Sequence, residues 1–188
     1  MEALSRETLE TMIAQAVAHA ATVSVWPMGE APGAKNSDAV FTPEPRHTGT
    51  SQYDRAVTGI RAPEITVYAP AKPNGIGILV TPGGSYRRVV VDKEGSVLAP
   101  FFNARGYTLF VMTYRMPADG HAEGSEAPLA DAQRALLDGI QLEAPLGGHR
   151  ADQPLHLGGQ PLHVVPGADL VVDHHAGHKD GVFVHMLQ

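Results

Sequence analysis

Apolar positions recur with a helical period near the start of the chain, where Leu9, Met12, Ile13, Ala16, Val17 and Ala20 share one face. That spacing predicts an amphipathic helix, a packing or covering element. Ser5 can cap its open amides, Leu4 and Leu9 hold the staple positions, and Glu7 and Glu10 suit the positive end of its dipole. Strand patterns follow. Ile65-Thr66-Val67-Tyr68 reads as a strand ended by Pro70, and Ile76-Gly77-Ile78-Leu79-Val80 as a central strand covered on both faces. Residues 107–114 carry the strongest strand pattern of the chain. Residues 92–105 read as a helix stopped by Gly106, with Pro100 imposing a kink or a late start. A second helical pattern covers 128–136, with Leu129, Ala132, Ala135 and Leu136 inward. Strand, helix, strand, helix in this order predicts an α/β sheet with parallel connections.

Proline and glycine punctuate the remainder. Pro27, Gly29, Pro32, Gly33, Pro43, Pro45 and Gly49 make 26–52 loop chemistry, and Lys72-Pro73-Asn74-Gly75 reads as a turn. With 14 Lys and Arg against 20 Asp and Glu, the formal charge is -6. An acidic chain without a basic run lacks the footprint of a nucleic-acid binder. No cysteine is present, which excludes disulfides, thiolate metal sites and a cysteine nucleophile. No apolar stretch is long enough for a membrane span, and the first residues lack a basic signal region, so a soluble, cytoplasmic product is the expectation.

The candidate chemistry follows the central strand, in Thr81-Pro82-Gly83-Gly84-Ser85-Tyr86. Two glycines there let the backbone turn sharply and present amide groups to a ligand, as an oxyanion site requires. The surrounding pattern resembles the α/β-hydrolase superfamily, in particular its acetyl-xylan and feruloyl esterase-like branch. The matching residues are Trp26-Pro27, Ala31-Pro32-Gly33, Ile65 to Pro70, Pro82 to Tyr86, Asp92-Lys93-Glu94-Gly95, Phe102 to Tyr107, Tyr114-Arg115-Met116-Pro117 and Pro128 to Ala135. Together they span 23–136.

The resemblance implies that the Gly-Gly loop lies after the third strand of the sheet and supplies oxyanion-hole amides. The implied positions are Gly83, Gly84, Ser85 and Tyr86, with the amides of Gly84 and Ser85 as donors and Tyr86 lining the mouth. Arg115 and Asp131 would fix the loop after the fourth strand, as a surface or half-buried ion pair. The implied substrate is a small-molecule or carbohydrate ester, and no cofactor is implied.

The family's G-x-S-x-G nucleophile is missing, because the last serine of the chain is Ser125, ahead of the helix that should lead to it. Ser85 is the remaining candidate nucleophile. It has Gly83 two before it, but Arg87 two after opposes the tight elbow. Ser96 and Ser125 read as capping or loop residues.

At Leu137 the composition changes. Residues 137–188 contain no Ser, Thr, Asn, Tyr or Trp, yet hold seven of the ten histidines. His174, His175 and His178 are the candidate metal ligands, with Asp173, Asp180 or His185 as a further donor. Asp169 or Asp173 with His174 or His178 has the order of a triad acid and base. Residues 162–165, 170–172 and 182–184 read as short strands.

The expected organisation is an N-terminal helix (1–22), an incomplete α/β-hydrolase sheet (23–136) and an irregular His-rich tail (137–188), foreign in composition and read as out of frame or recombined. The expected function is an ester hydrolase domain that keeps its oxyanion loop, lacks its nucleophile and is inactive. The alternatives are a metal-assisted hydrolase using the tail histidines and a silent module that binds a small molecule or carbohydrate. An incomplete sheet would leave 107–113 as an unpaired edge, inviting self-association unless the tail supplies a strand such as 162–165.

Overall fold

A computed structural model describes residues 5–26, 30–34, 38, 40–47, 53–143, 156–157, 160–161 and 181–186, those from 137 onward as backbone elements alone. The N-terminal helix α1 spans Arg6–Ala18, and Ser5 caps it by accepting the Thr8 amide at 3.1 Å. Leu4 lies outside the described residues, so only the cap half of the expected N-terminus is seen. Ile13 is the buried anchor of α1, while Ala16, Val17 and Ala20 lean on the core from its rim.

A mixed five-stranded sheet forms the centre. Its strands are β1 (Ala21–Ser24), β4 (Glu64–Tyr68), β5 (Ile76–Thr81), β6 (Thr108–Met112) and β9 (Gly181–Met186), in the order β1-β4-β6-β5-β9. Pairing is antiparallel for β1 with β4 and β4 with β6, and parallel for β6 with β5 and β5 with β9. The expected parallel connection therefore holds from β5 to β6, while β4 runs the other way.

The strand pattern explains the layering. All five residues of β6 are buried. Its alternation sends Phe110 and Met112 to a core shared with Ala135 and Leu136 of the C-terminal helix, and Leu109 and Val111 to a core shared with α1 and Ala99. A strand covered on both faces must be apolar throughout, as 108–112 is.

Several expectations change. The 107–113 region is not an edge: β6 sits between β4 and β5 and is hydrogen-bonded on both sides. The strand that needs an outer partner is β5, and β9 provides it, with Ile76 opposite Gly181 and Thr81 opposite Met186. The strand expected at 182–184 thus lies within β9, whereas 162–165 and 170–172 lie outside the described residues. Two further short strands of the tail, β7 (His156–Leu157) and β8 (Gln160–Pro161), pair with each other.

The proline-rich 26–52 segment is not loop throughout, because β2 (Thr42–Pro45) pairs antiparallel with β3 (Arg55–Thr58). Pro43 and Pro45 stand two apart, so both missing N–H groups fall on the same side of an edge strand, where no ladder bond is needed. The expected helix over 92–105 is a chain of turns ending in α2 (Ala99–Asn103), with Pro100 in its first turn. Proline favours a helix start and opposes a helix interior, so the late start prevails. The C-terminal helix α3 spans Ala127–Glu143 and crosses position 137, where the composition changes. Among the described residues, no helix is long and apolar enough to cross a membrane.

Candidate functional site

The ends of β5 and β6 lie at one edge of the sheet because the two strands are parallel, and ligands of open α/β sheets gather at such edges. A cleft of about 610 Å³ opens there. Its floor is Thr81 and Tyr114, one wall is Gly83, Gly84, Ser85 and Tyr86, and the other is Ser125 and Glu126 with Pro128, Leu129 and Ala132 of α3.

The glycine loop takes an unusual backbone. Ser85 and Tyr86 have φ values of 58° and 53°, and the Arg87 amide donates to the Gly84 carbonyl at 3.1 Å. Positive φ at both central residues makes this a type I′ turn, whose left-handed residues cost about 1 kcal/mol or more each when they carry a Cβ. Gly84 is required, since its φ is 150° and a Cβ there would run into the Arg88 carbonyl oxygen. The strain is held from outside. Val90 donates to the Gly83 carbonyl at 3.0 Å, and Val89 exchanges two amide bonds of 2.8 Å with Val57 of β3.

Two side chains fasten the loop base. The Tyr114 hydroxyl donates to the Pro82 carbonyl at 2.6 Å. Burial, with lesser contributions from Tyr86 and Glu94, pushes that phenol up to about 12, so it remains a donor at neutral pH. The Glu94 carboxylate accepts the Gly83 amide at 2.7 Å. Two residues before Glu94, buried Asp92 anchors the same segment, accepting Arg55 Nε at 2.7 Å, the Arg55 amide at 2.8 Å and Ser96 Oγ at 2.9 Å.

These bonds sort the expected oxyanion residues. The Gly83 amide, which was not among the expected donors, is taken by Glu94. The amides of Gly84, Ser85 and Tyr86 have no acceptor among the described residues. Tyr86 is 56% exposed at the mouth, as expected of it. Ser85 is exposed, and among the described residues no histidine lines the cleft to pair with it as the base of a serine triad. His19 bonds the Gln15 carbonyl, His47 pairs with Asp54 at 2.7 Å, and His121 is buried beside Arg115. Ser96 serves Asp92 as an internal donor, and Ser125, expected to be a plain loop residue, stands in the cleft wall.

Arg115 and Asp131 form a pair buried at 0% exposure on both sides, deeper than the surface or half-buried pair expected. Arg115 reaches Asp131 at 2.9 Å, Glu123 at 2.9 Å and the Pro32 carbonyl at 2.6 Å, while Trp26 Nε1 donates to Asp131 at 2.8 Å. The cluster ties the connection after β1 and the connection after β6 to the start of α3 and so sets the second wall of the cleft. Leu129, expected inward, is 37% exposed and faces that cleft.

His174, His175 and His178 lie outside the described residues, as do Asp169, Asp173 and Asp180. His185 is on β9, in register with Val80 of β5. Glu94, Tyr114, Ser125 and Glu126 were not legible as site residues, because each meets the turn only through the tertiary fold. No family model matches this chain, and no curated protein matches it in sequence.

Proposed function

We propose that residues 23–136 form the N-terminal part of an ester hydrolase domain of the α/β-hydrolase type, which keeps a carbonyl-binding cradle and lacks the serine that would attack the bound ester. The observation that carries this reading is the strained turn whose Gly84 and Ser85 amides have no acceptor among the described residues and border a 610 Å³ cleft. Backbone donors held in advance by Glu94, Tyr114 and Val57 suit the binding and polarisation of an ester carbonyl. The position of the turn agrees with the resemblance: β5 is the third strand, in chain order, of the five-stranded sheet, and Arg115 follows the fourth. The apolar contribution of Leu129, Pro128 and Ala132 suits the acyl or alcohol part of an ester. Chemistry stops at binding, because a tetrahedral intermediate forms only when a nucleophile attacks.

The test is hydrolysis of p-nitrophenyl acetate by the full chain, beside labelling with a fluorophosphonate probe. Turnover no greater than that of denatured protein, with no labelled side chain, is expected. Saturable turnover abolished in Ser85→Ala, or a probe adduct on any serine, overturns the proposal.

A further inference from the structure

We infer that Glu94 makes the cradle selective for a neutral carbonyl group over a carboxylate, a deduction that rests on the reading of the turn as a carbonyl-binding site. Glu94 spends its hydrogen bond on Gly83, the residue next to the first free donor. The bond is 2.7 Å long and one residue step is about 3.8 Å, so the carboxylate oxygen lies within about 6.5 Å of the Gly84 nitrogen. A second carboxylate, the exposed Glu126, stands on the opposite wall, and among the described residues no Lys, Arg or His lines the cleft. Arg87 closes the turn and Arg88, whose side-chain stem packs beside Gly84, follows it; both are exposed, so water screens their charges, and neither lines the cleft.

An oxygen seated on the Gly84 and Ser85 amides is therefore held by dipoles beside the half-buried Glu94 carboxylate, whose charge is less screened by water than those of exposed Arg87, Arg88 and Glu126. For a neutral ester, amide or ketone the dipoles prevail, because no net charge is brought in. A carboxylate meets repulsion from Glu94 at a distance where a partly screened unit charge changes affinity by about five- to tenfold. Burial raises the Tyr114 phenol at the cleft floor, and Glu94 adds to that rise, in accord with its field reaching the cleft. Glu94 is thus a specificity-determining residue as well as a positioning one.

The experiment titrates the ¹⁵N-labelled full chain with phenylacetamide and with phenylacetate, which share a ring and differ in charge, and follows the Gly84 and Ser85 amide signals. In the wild type, phenylacetamide is expected to shift them at about five- to tenfold lower concentration than phenylacetate. In Glu94→Gln, which keeps an oxygen acceptor for Gly83 and loses the charge, the phenylacetate midpoint should fall towards that of the amide. Equal midpoints in the wild type overturn the inference whether or not the variant folds, as does an unchanged ratio in a folded Glu94→Gln. If neither probe moves these signals, the cradle reading itself fails.

Discussion

Arg115 and Asp131 meet at 2.9 Å with neither side chain exposed, and the Arg115 amide also donates to Asp131 at 2.9 Å. The pair is therefore a backbone clamp as well as an ion pair. It closes the loop after β6 onto α3, and Trp26 and Pro32 are bound to the same two residues. Removing one partner leaves a buried charge without compensation. Asp131→Ala is expected to lose about 3 to 5 kcal/mol of unfolding free energy, measured by urea denaturation. A loss below about 0.5 kcal/mol would show the cluster to be dispensable.

Gly84→Ala is expected to remove carbonyl-probe binding and to destabilise the chain by about 2 kcal/mol, since the added methyl collides with the Arg88 carbonyl and φ of 150° lies outside the range of alanine. Ser85→Gly should do the reverse for stability, relieving a left-handed residue by up to about 1 kcal/mol. Thermal unfolding of the two variants beside the wild type separates strain from lost contacts. Equal stability of Gly84→Ala and wild type would contradict the crowding.

Tyr114→Phe deletes the donor of the buried Pro82 carbonyl and should cost about 1 to 2 kcal/mol. Tyr68 and Tyr114 are both pushed up to about 12, chiefly by burial. Their protons are held more tightly in the folded chain than in the unfolded one, so these phenols stabilise the fold below the ordinary value of 10.0 and lose that contribution as pH rises towards 12. An ultraviolet phenolate titration should resolve a late-ionising pair among the five tyrosines, reduced to one in Tyr114→Phe. Titration of every tyrosine in a single early step would exclude it.

His121 is 4% exposed, and neither ring nitrogen has a hydrogen-bond partner among the described residues. Burial, reinforced by the Arg115 charge, lowers its affinity for a proton below that of an ordinary histidine, while Asp119, Asp131 and Glu123 oppose the shift. The unfolded chain then takes up the proton first as pH falls. Stability is complete above the ordinary value of 6.5 and is lost as pH drops through and below it. Urea midpoints measured from neutral pH down to about 5 should decline in the wild type and decline less in His121→Gln. Parallel curves would remove His121 from the explanation.

β9 covers the outer side of β5 along 76–81. Deleting 181–188 uncovers a row of amide and carbonyl groups on an apolar strand, which other chains can pair with. Sedimentation velocity is expected to show association that grows with concentration in the deleted form and less of it in the full chain. Identical sedimentation of the two would mean that β5 needs no cover.

Local pattern carried a large part of this protein. The cap of α1 at Ser5, the strands at 65–68 and 76–80 and the glycine turn at 83–84 could all be read because each depends on side chains a few residues apart, while the expected 92–105 helix, with a kink or a late start left open at Pro100, shortened to 99–103. The β2 strand escaped notice because Pro43 and Pro45 argue against a strand wherever the free side of an edge is unknown.

The site escaped for a different reason. A periodic pattern says which face of an element is apolar, and it does not say which distant loop will meet that face. Trp26 and Asp131 stand 105 positions apart, and the bond between them exists only because the sheet order brings β6 and α3 beside the N-terminal loop. Sequence alone determined that a flexible Gly-Gly turn follows an apolar strand and that no serine elbow comes after it. Only the tertiary structure decided which amides have no acceptor among the described residues, because Gly83 lost its own to Glu94 across a gap of 11 residues while Gly84 and Ser85 border the cleft. Hydrogen-bond partners are chosen by proximity in space, and that proximity arises when the two cores close on either side of β6.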